Sequence, residues 1–344
     1  MKTTTELTVE TVVDESNLDR LAPDWMALNA KCGPAGFFTR FEVVKENWAR
    51  YRDDPRTSLH VIVIRKHGKL VFAAPMFKRH DLLLTHTLQW LDSKTPLYDD
   101  VLLDSDTDIA SVARTFSEVL KSSWTGRVLK IGFVLEGSDL HRVLGAAGMP
   151  FEFRTVAPSL DISRYETWDD YLTQHSANRR QQYRLFSRRL QKAGSGSVEI
   201  VTGQNERRNE ISALFAQKRS WVSERDDLLD WIVPEETEKW FQRLVKMDDT
   251  ANKTHLLRFA SDSEQIGILL LLERDGTIFL SKIAHNPAWS RYSPGWLLIL
   301  EAVKFSIGRK AKAIDFMIGH GAWKDRLSDR SRSVFKSRVD LSPW

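Results

Sequence analysis

The sequence has almost no cysteine, and this scarcity limits its chemistry. Cys32 is the single cysteine among 344 residues, so an intramolecular disulfide cannot form and Cys-rich metal sites are excluded. A reducing cytosol is the simplest compartment for such a chain. We therefore expect a cytoplasmic protein that carries no metal.

Long apolar runs are also absent. The longest, WLLIL and ILLLL, fall far short of the roughly 20 residues that a membrane-spanning helix needs. The opening MKTTTELTVE has no apolar segment after its lysine, so we expect neither a signal peptide nor a transmembrane segment. The chain also lacks a Walker loop, an HExxH pair, paired CxxC motifs and a GxSxG nucleophile elbow.

The charge balance is mildly basic, with 50 Lys and Arg against 46 Asp and Glu and a net charge of +4. This favours acidic ligands such as phosphates, anionic lipids or nucleic acid, without selecting among them. The hydrophobic and charged fractions, 42% and 28%, are typical of soluble globular proteins. The length fits two domains of ordinary size.

The order of predicted elements occurs twice along the chain. Each half contains helices, then an antiparallel meander, then a helix and a strand. The meanders turn at His67-Gly68 and at Asp275-Gly276, as expected for tight hairpins. This order predicts a mixed α+β fold with a boundary near residues 160–166.

Three helix predictions rest on apolar spacing and caps. Single helices are expected over about residues 18–31 and 167–193. Another is expected to start at Thr39 as N-cap, with Glu42 three residues on, which is a capping-box pattern.

The stretch Tyr292-Ser293-Pro294-Gly295-Trp296 precedes a strongly apolar helix. Ser293 is suited to the N-cap and Pro294 to the first helical position. Gly295 removes a side chain where free backbone N–H groups point outward, and such donors bind anions well. The alternative is a capped, buried helix start without a ligand.

Ionisable residues near the C-terminus are the candidate reactive groups. Asp315 lies in the apolar strand AIDFMI, where a carboxylate needs a partner. It is either a base or substrate anchor, or half of an ion pair with Lys324 or an arginine. His285 and His320 are expected to end two neighbouring strands, where either one is a general base or an ordinary surface histidine.

An arginine-rich helix follows Ser176, with no acidic residue before Val198. Its basic residues recur every fourth position, at Arg180, Arg184, Arg188 and Lys192. Like charges at this spacing repel, and arginine suits oxyanions. The stripe is therefore a solvated face, or it binds an acidic acceptor, a phosphorylated carrier, a lipid surface or RNA.

Three segments together resemble a known superfamily. They are YSPGWLLILEAVKFSIGRKAKAIDFMIGHGAWKDR, SANRRQQYRLFSRRLQKAG, and the region PMF…LQWLDSKTPLYDDVLLD. In this order they are similar to the GNAT acyltransferases, and more narrowly to the CelD-like or BioF2-like branch, which is related to the Fem-type peptidyl transferases.

The resemblance implies a fold and an activity. The fold is two tandem GNAT-like domains, residues 1–160 and 161–344, each a mostly antiparallel central sheet flanked by helices. The activity is transfer of an acyl group from acetyl-CoA or another acyl-CoA, without a metal. The acceptor is an amine or hydroxyl of a small molecule or of a cell-envelope or polysaccharide precursor, partly held by the first domain, and no DNA partner is expected.

The resemblance also assigns residues. The acyl-CoA positions are Lys282, Ile283, Ala284, Tyr292, Ser293, Pro294, Gly295 and Trp296. The resemblance also supports Asp315 and Lys324 as catalytic candidates. Residue chemistry, apart from the resemblance, adds His285 as a catalytic candidate and Arg179, Arg180 and Arg184 as substrate-binding candidates. The chain departs from the family in having one glycine in the phosphate loop, and in having Trp323 where the family has a tyrosine.

Two other functions remain open. A Fem-type transferase would use aminoacyl-tRNA as its donor, which the basic helix would tolerate. A non-catalytic module of the same fold would hold an acidic partner through that helix. Neither the acceptor nor the oligomeric state can be derived from the sequence.

Overall fold

The computed structural model describes residues 7–80, 86–92, 94–122, 127–194, 198–222, 234–261 and 264–341. The side chains at 127, 179, 221 and 222 lie outside this description. The chain forms two compact units, one of Met1–Val156 with Arg332–Trp344 and one of Ala157–Ser331. No described helix combines the length and apolar character needed to cross a membrane.

The strands are β1 (Leu7–Val12), β2 (Thr57–Lys66), β3 (Lys69–His80), β4 (His86–Trp90), β5 (Leu102–Leu103), β6 (Arg127–Leu135), β7 (Glu152–Asp161), β8 (Glu199–Ile200), β9 (Asn252–Ala260), β10 (Gln265–Arg274), β11 (Thr277–His285), β12 (Ala313–Asp315) and β13 (Arg330–Asp340).

The α-helices are α1 (Glu15–Arg20), α2 (Ala22–Asn29), α3 (Phe41–Ala49), α4 (Ile109–Ser122), α5 (Asp139–Ala146), α6 (Trp168–Thr173), α7 (Ala177–Lys192), α8 (Gln204–Val222), α9 (Glu235–Leu244), α10 (Pro294–Gly308) and α11 (Ala322–Leu327). Short 3-10 helices cover Pro34–Phe37 and Pro287–Tyr292.

In the first unit, β1 to β4 form an antiparallel meander, β6 runs parallel to β4, and β13 pairs antiparallel with β6. Strand alternation directs successive side chains to opposite faces. Ile62 and Ile64 therefore pack in one core with α4 and α5, while Val61 and Val63 pack in another with α2 and α3. The β2–β3 hairpin turns at His67 and Gly68, as predicted, and both residues have positive φ.

In the second unit, β8 to β11 form a similar antiparallel series, and β12 runs parallel to β11 across α10. The predicted turn at Asp275-Gly276 joins β10 to β11. The apolar helix α10 packs its leucines on β10 and β11, and α8 also contacts both strands. The predicted α+β architecture, with helices on a mostly antiparallel sheet in both units, is confirmed.

The helix predictions near residues 18–31 and 167–193 were too long. The first segment divides at Leu21 into α1 and α2, because Pro23 occupies the first turn of a new helix. The second divides before α7, where Arg180 Nη1 donates to the carbonyl oxygen of His175 at 2.8 Å. This hydrogen bond pairs a carbonyl group that lies between the two helices, so a continuous helix is not needed to satisfy it.

The capping prediction at Thr39 was also wrong. The helix α3 begins at Phe41, and Arg40 is its N-cap without a side-chain cap bond. The Thr39 hydroxyl instead donates to the carbonyl oxygen of Gly36 at 3.4 Å. A local hydrogen bond to the preceding 3-10 helix thus competes with the capping role.

Candidate functional site

The strands β11 and β12 separate soon after they meet. They pair only at Thr277–Ala313, Ile278–Ile314 and Phe279–Asp315. The chain after β12 stays beside β7, where the Phe316 N–H donates to the carbonyl oxygen of Pro158 at 2.9 Å. Among the described residues, the β11 edge from Leu280 onward therefore has no strand partner on this side. An edge without a neighbouring strand is a place where an added strand can pair.

A β-bulge lies at the start of this open edge. Leu270 pairs with Lys282 and Leu271 with Leu280, so Ser281 is the extra residue. A bulge redirects side chains and is common next to active sites. Ser281 is buried, and its hydroxyl has no hydrogen-bond partner among the described residues. The bulge thus places a buried polar group beside the opening.

Lys282 follows the bulge and is only 6% exposed. Its ammonium nitrogen lies 5.4 Å from the centre of the Phe241 ring on α9. Burial, and then the positive charges of Lys218 and Lys324, lower the pKa of Lys282 to about 7. A substantial fraction of this side chain is therefore a neutral amine at neutral pH.

Lys324 and Asp315 support the turn after β12. Lys324 Nζ donates to the carbonyl oxygens of Met317 and Ile318, both at 2.9 Å. Asp315 is 1% exposed, and its Oδ1 accepts from the Met317 N–H at 2.7 Å. Burial lowers the pKa of Lys324 to about 8, and the negative charge of Asp315 opposes that shift. The two residues thus hold a turn in which Met317 has φ of 60°.

His285 ends β11 beside the start of α10. A β-carbon added at Gly295 would stand 3.2 Å from Nδ1 of His285, so the ring lies close over this backbone position. Nε2 is 3.5 Å from the Ser290 hydroxyl, and burial lowers the pKa of His285. His320 does not end a strand as predicted, because β12 already ends at Asp315.

The start of α10 exposes backbone donors. Pro294 is the first helical residue, as the sequence predicts, but Ser293 adopts a left-handed conformation and its side chain caps nothing. The first helical bond runs from Leu297 N–H to the Ser293 carbonyl at 3.1 Å. The N–H groups of Gly295 and Trp296 are therefore left uncapped by the described side chains, as an anion site requires.

A small pocket adjoins this helix. It is lined mainly by aromatic and apolar side chains of α6, α7, α10 and α11. Trp296 and Arg180 both line it, so a predicted acyl-CoA residue and a predicted substrate residue come together. Tyr292 lies outside this lining and packs beside Trp289, with 5.5 Å between ring centres.

The other arginines of α7 are placed differently. Arg184 and Arg188 are exposed and form no ion pair with any described residue. The backbone of Arg179 lies on α7, but its side chain lies outside the described part of the structure. The apolar stripe of the same helix, Tyr183, Phe186 and Leu190, packs into the core of the second unit.

Two further polar residues near the open edge, Lys218 and Ser281, were not predicted from the sequence. Two consecutive polar residues, Ser281-Lys282, interrupt the apolar pattern of β11 and indicate a bulge. Nothing comparable marks Lys218, because its burial depends on elements far away in sequence. Within the ranges described above, no cluster of three or more His, Cys, Asp or Glu side chains could hold a metal ion.

Comparison with known proteins tests the resemblance to the GNAT acyltransferases. Residues 177–325 match the family described as acetyltransferase (GNAT) domain. A tandem GNAT protein from the clavulanic acid biosynthesis pathway is similar in structure, with 14% identity, a TM-score of 0.51, and 98% of this chain and 100% of that chain covered. None of the curated proteins compared with the chain matches it.

Two other solved structures are similar. FemX has 10% identity and a TM-score of 0.59, with 97% of this chain and 96% of that chain covered. A conserved protein of unknown function from Bacteroides thetaiotaomicron has 10% identity and a TM-score of 0.54, with 97% and 100% covered. The resemblance to the GNAT acyltransferases is thus confirmed, by the family match over residues 177–325 and by a tandem GNAT-like fold over nearly all of the chain.

Proposed function

We propose that the protein transfers an acyl group from acetyl-CoA or another acyl-CoA to an amine or hydroxyl. The acceptor belongs to a small molecule or to a cell-envelope or polysaccharide precursor. One observation carries the proposal: β11 loses its neighbour after Phe279, and the uncapped start of α10 follows the same strand. An open strand edge and a free helix N-terminus suit the two ends of an extended phosphorylated ligand.

The residues present fit such a ligand. The pantetheine arm carries amide groups, which can pair with the open edge of Lys282, Ile283 and Ala284 as an added strand would. The N–H groups of Gly295 and Trp296 suit its pyrophosphate, because uncapped donors and the helix dipole favour negative charge. Bound acyl-CoA would supply an activated thioester carbonyl.

The other candidate residues hold the site in shape or offer polar and charged groups to the substrates. Asp315 and Lys324 hold the turn that keeps β12 away from β11. His285 lies over Gly295 and sets the contact between β11 and α10. Ser281 offers a hydroxyl toward a developing oxyanion, a type of contact that stabilises acyl-transfer transition states. Arg180, in the cavity with Trp296, is suited to a negatively charged part of either substrate.

The two halves of the chain are proposed to bind different substrates. Residues 161–344 hold acyl-CoA, and residues 1–160 contribute to acceptor binding. The single half-buried Cys32 is compatible with work in a reducing cytosol.

Calorimetric titration with acetyl-CoA tests the proposal. The wild type should bind, and Gly295→Asp should lose binding, because its side chain would crowd His285 and bring a negative charge to the helix start that is proposed to hold the pyrophosphate. Gly308→Asp is the matched control, since Gly308 lies at the other end of α10 with open space around it. Absence of wild-type binding at millimolar acetyl-CoA would refute the function. Unchanged binding by Gly295→Asp would refute the site.

The exposed arginines of α7 favour a second candidate function. Arg184 and Arg188 are exposed without described ion pairs, so they are available to a polyanion. An aminoacyl-tRNA donor, as in a Fem-type transferase, would use such a surface, and so would a non-catalytic module that binds an acidic partner. Salt-sensitive tRNA binding together with no acetyl-CoA binding would favour the tRNA donor. Retention of acidic proteins alone would favour the module.

A further inference from the structure

A further pocket lies between α7, β9 and α10 in the second unit, and it shares Tyr183 with the pocket that Trp296 lines. Its volume is about 240 Å³. The apolar part of its lining packs with the hydrophobic core of the unit and consists of Leu190, Val198, Phe259 and Leu297. An apolar cavity of roughly 150 Å³ can hold benzene, so this pocket has room for a ring-sized ligand.

Two side chains of α10 carry the charges of this pocket. Glu301 and Lys304 are the acidic and the basic residue among its described lining residues. The Tyr183 hydroxyl donates to Glu301 Oε1 at 2.9 Å. Glu301 Oε2 lies 3.7 Å from Lys304 Nζ, which is longer than a hydrogen bond, and it accepts none from the described part of the chain. This carboxylate oxygen is therefore open to a donor from a ligand.

The two charges differ in their contact with solvent. The Glu301 side chain is 20% exposed, whereas that of Lys304 is 49% exposed. A solvated lysine at this distance stabilises a carboxylate only weakly, and a partly buried carboxylate gains more from a close charged donor. The pocket therefore favours a cationic ligand over an anionic one.

We propose that this pocket binds a small ligand with a primary ammonium group on an apolar, ring-sized body. The ammonium donates to Glu301 Oε2 and displaces Lys304 Nζ toward solvent, while the body covers Phe259 and Leu297. The site lies on α10, beginning two residues after Gly295, and it is separate from the open edge of β11. It does not depend on the proposed acyl-CoA binding.

Three probes with the same phenyl body test the proposal by calorimetry at pH 7.5. The probes are 2-phenylethylamine, which is protonated at this pH as a lysine side chain is, the uncharged 2-phenylethanol, and the anionic 3-phenylpropanoate. The amine should bind about tenfold or more tightly than either of the others, because a hydrogen bond to a charged group adds that much. No binding of the amine at millimolar concentration would refute the site. Equal or tighter binding of the alcohol or the anion would refute the role of the ammonium group.

The variant Glu301→Gln removes the charge but keeps an oxygen for the Tyr183 hydroxyl. It should bind 2-phenylethylamine about tenfold or more weakly. Glu235→Gln is the matched control, because Glu235 also lies 3.7 Å from a lysine on its helix but is 82% exposed. Lys304→Met removes the competing cation and should bind the amine at least as tightly as the wild type. Wild-type affinity in Glu301→Gln, or a loss in Lys304→Met, would contradict the proposed contact.

Methyl NMR of the wild type locates the ligand even if Glu301→Gln fails to fold. Addition of 2-phenylethylamine should shift the methyl signals of Leu190, Val198 and Leu297, which line the pocket. The signals of Leu140 and Val143, in a core of the first unit, should stay in place. Shifts that spare the lining residues would overturn the site. The acetyl-CoA titration is read separately, so failure of the proposed function and failure of this site are distinguishable.

Discussion

The imidazole of His285 lies against Gly295, so that a β-carbon at residue 295 would be 3.2 Å from Nδ1. This contact joins the end of β11 to the start of α10, the two elements that form the proposed acyl-CoA site. A side chain at residue 295 would therefore affect both elements.

Gly295→Ala should weaken acetyl-CoA binding by about tenfold, because the ring or the helix start must shift by a few tenths of an ångström. Its unfolding free energy should change by less than about 1 kcal/mol, since the helix propensity of alanine offsets the crowding. Calorimetry and urea unfolding measure the two effects. Gly308→Ala, with open space at its position, should keep the affinity; an equal loss in both variants would contradict the site.

Lys282→Met should stabilise the protein at pH 7 by on the order of 4 kcal/mol. The folded-state pKa of about 7 lies below the ordinary 10.5, so between these values the unfolded chain binds more protons. Wild-type stability should therefore rise with pH across this interval, and the advantage of the variant should shrink. Urea unfolding at pH 7 and pH 9.5 checks this, with Lys304→Met as control. A constant difference would show that Lys282 keeps its ordinary pKa.

Substitutions at Asp315 should separate a structural from a catalytic role. Asp315→Asn keeps an oxygen for the Met317 N–H and should retain acetyl-CoA hydrolysis within a few-fold. Asp315→Ala leaves that buried donor unpaired and should lower the unfolding free energy by about 1–3 kcal/mol. Thermal unfolding and hydrolysis rates test both variants. A stable Asp315→Asn protein without activity would make Asp315 the base.

Lys324→Met should loosen the turn after β12. The carbonyl oxygens of Met317 and Ile318 would lose their shared donor, which should cost about 1–3 kcal/mol of unfolding free energy. Lys324→Arg should recover part of that loss, since it also donates to carbonyls. Hydrogen exchange at residues 316–319 should increase in Lys324→Met. Unaltered exchange would mean that the turn does not depend on this side chain.

The double variant Arg184→Gln/Arg188→Gln should leave heparin at lower salt than the wild type, because two exposed cations are removed. If the wild type binds tRNA, the slope of the logarithm of its binding constant against the logarithm of salt concentration should decrease in the variant, by the equivalent of about two phosphate contacts. Acetyl-CoA binding and stability should not change, and the exposed Arg208→Gln is the control. A loss of acetyl-CoA affinity would instead place the stripe in the cofactor site.

Features that depend on neighbours in sequence were predicted well. The turns at His67-Gly68 and Asp275-Gly276 require positive φ, which few residue pairs accept easily. The first residue of α10 follows from the fixed φ of Pro294. The helix breaks at Leu21 and before Ala177 were missed, because apolar spacing continues across both positions while local hydrogen bonds interrupt the backbone.

Residue types and their order are enough to predict the order of elements, the α+β class, the absence of a disulfide and the apolar helix after Gly295. The three residue pairs between β11 and β12, the bulge at Ser281 and the mutual effect of Lys218, Lys282 and Lys324 are visible only in the folded chain. They require the fold because solvation and charge coupling depend on atoms from α8, α9 and α11, which are distant along the chain. A lysine in a strand shows its type in the sequence, but its proton affinity is set by what surrounds it after folding.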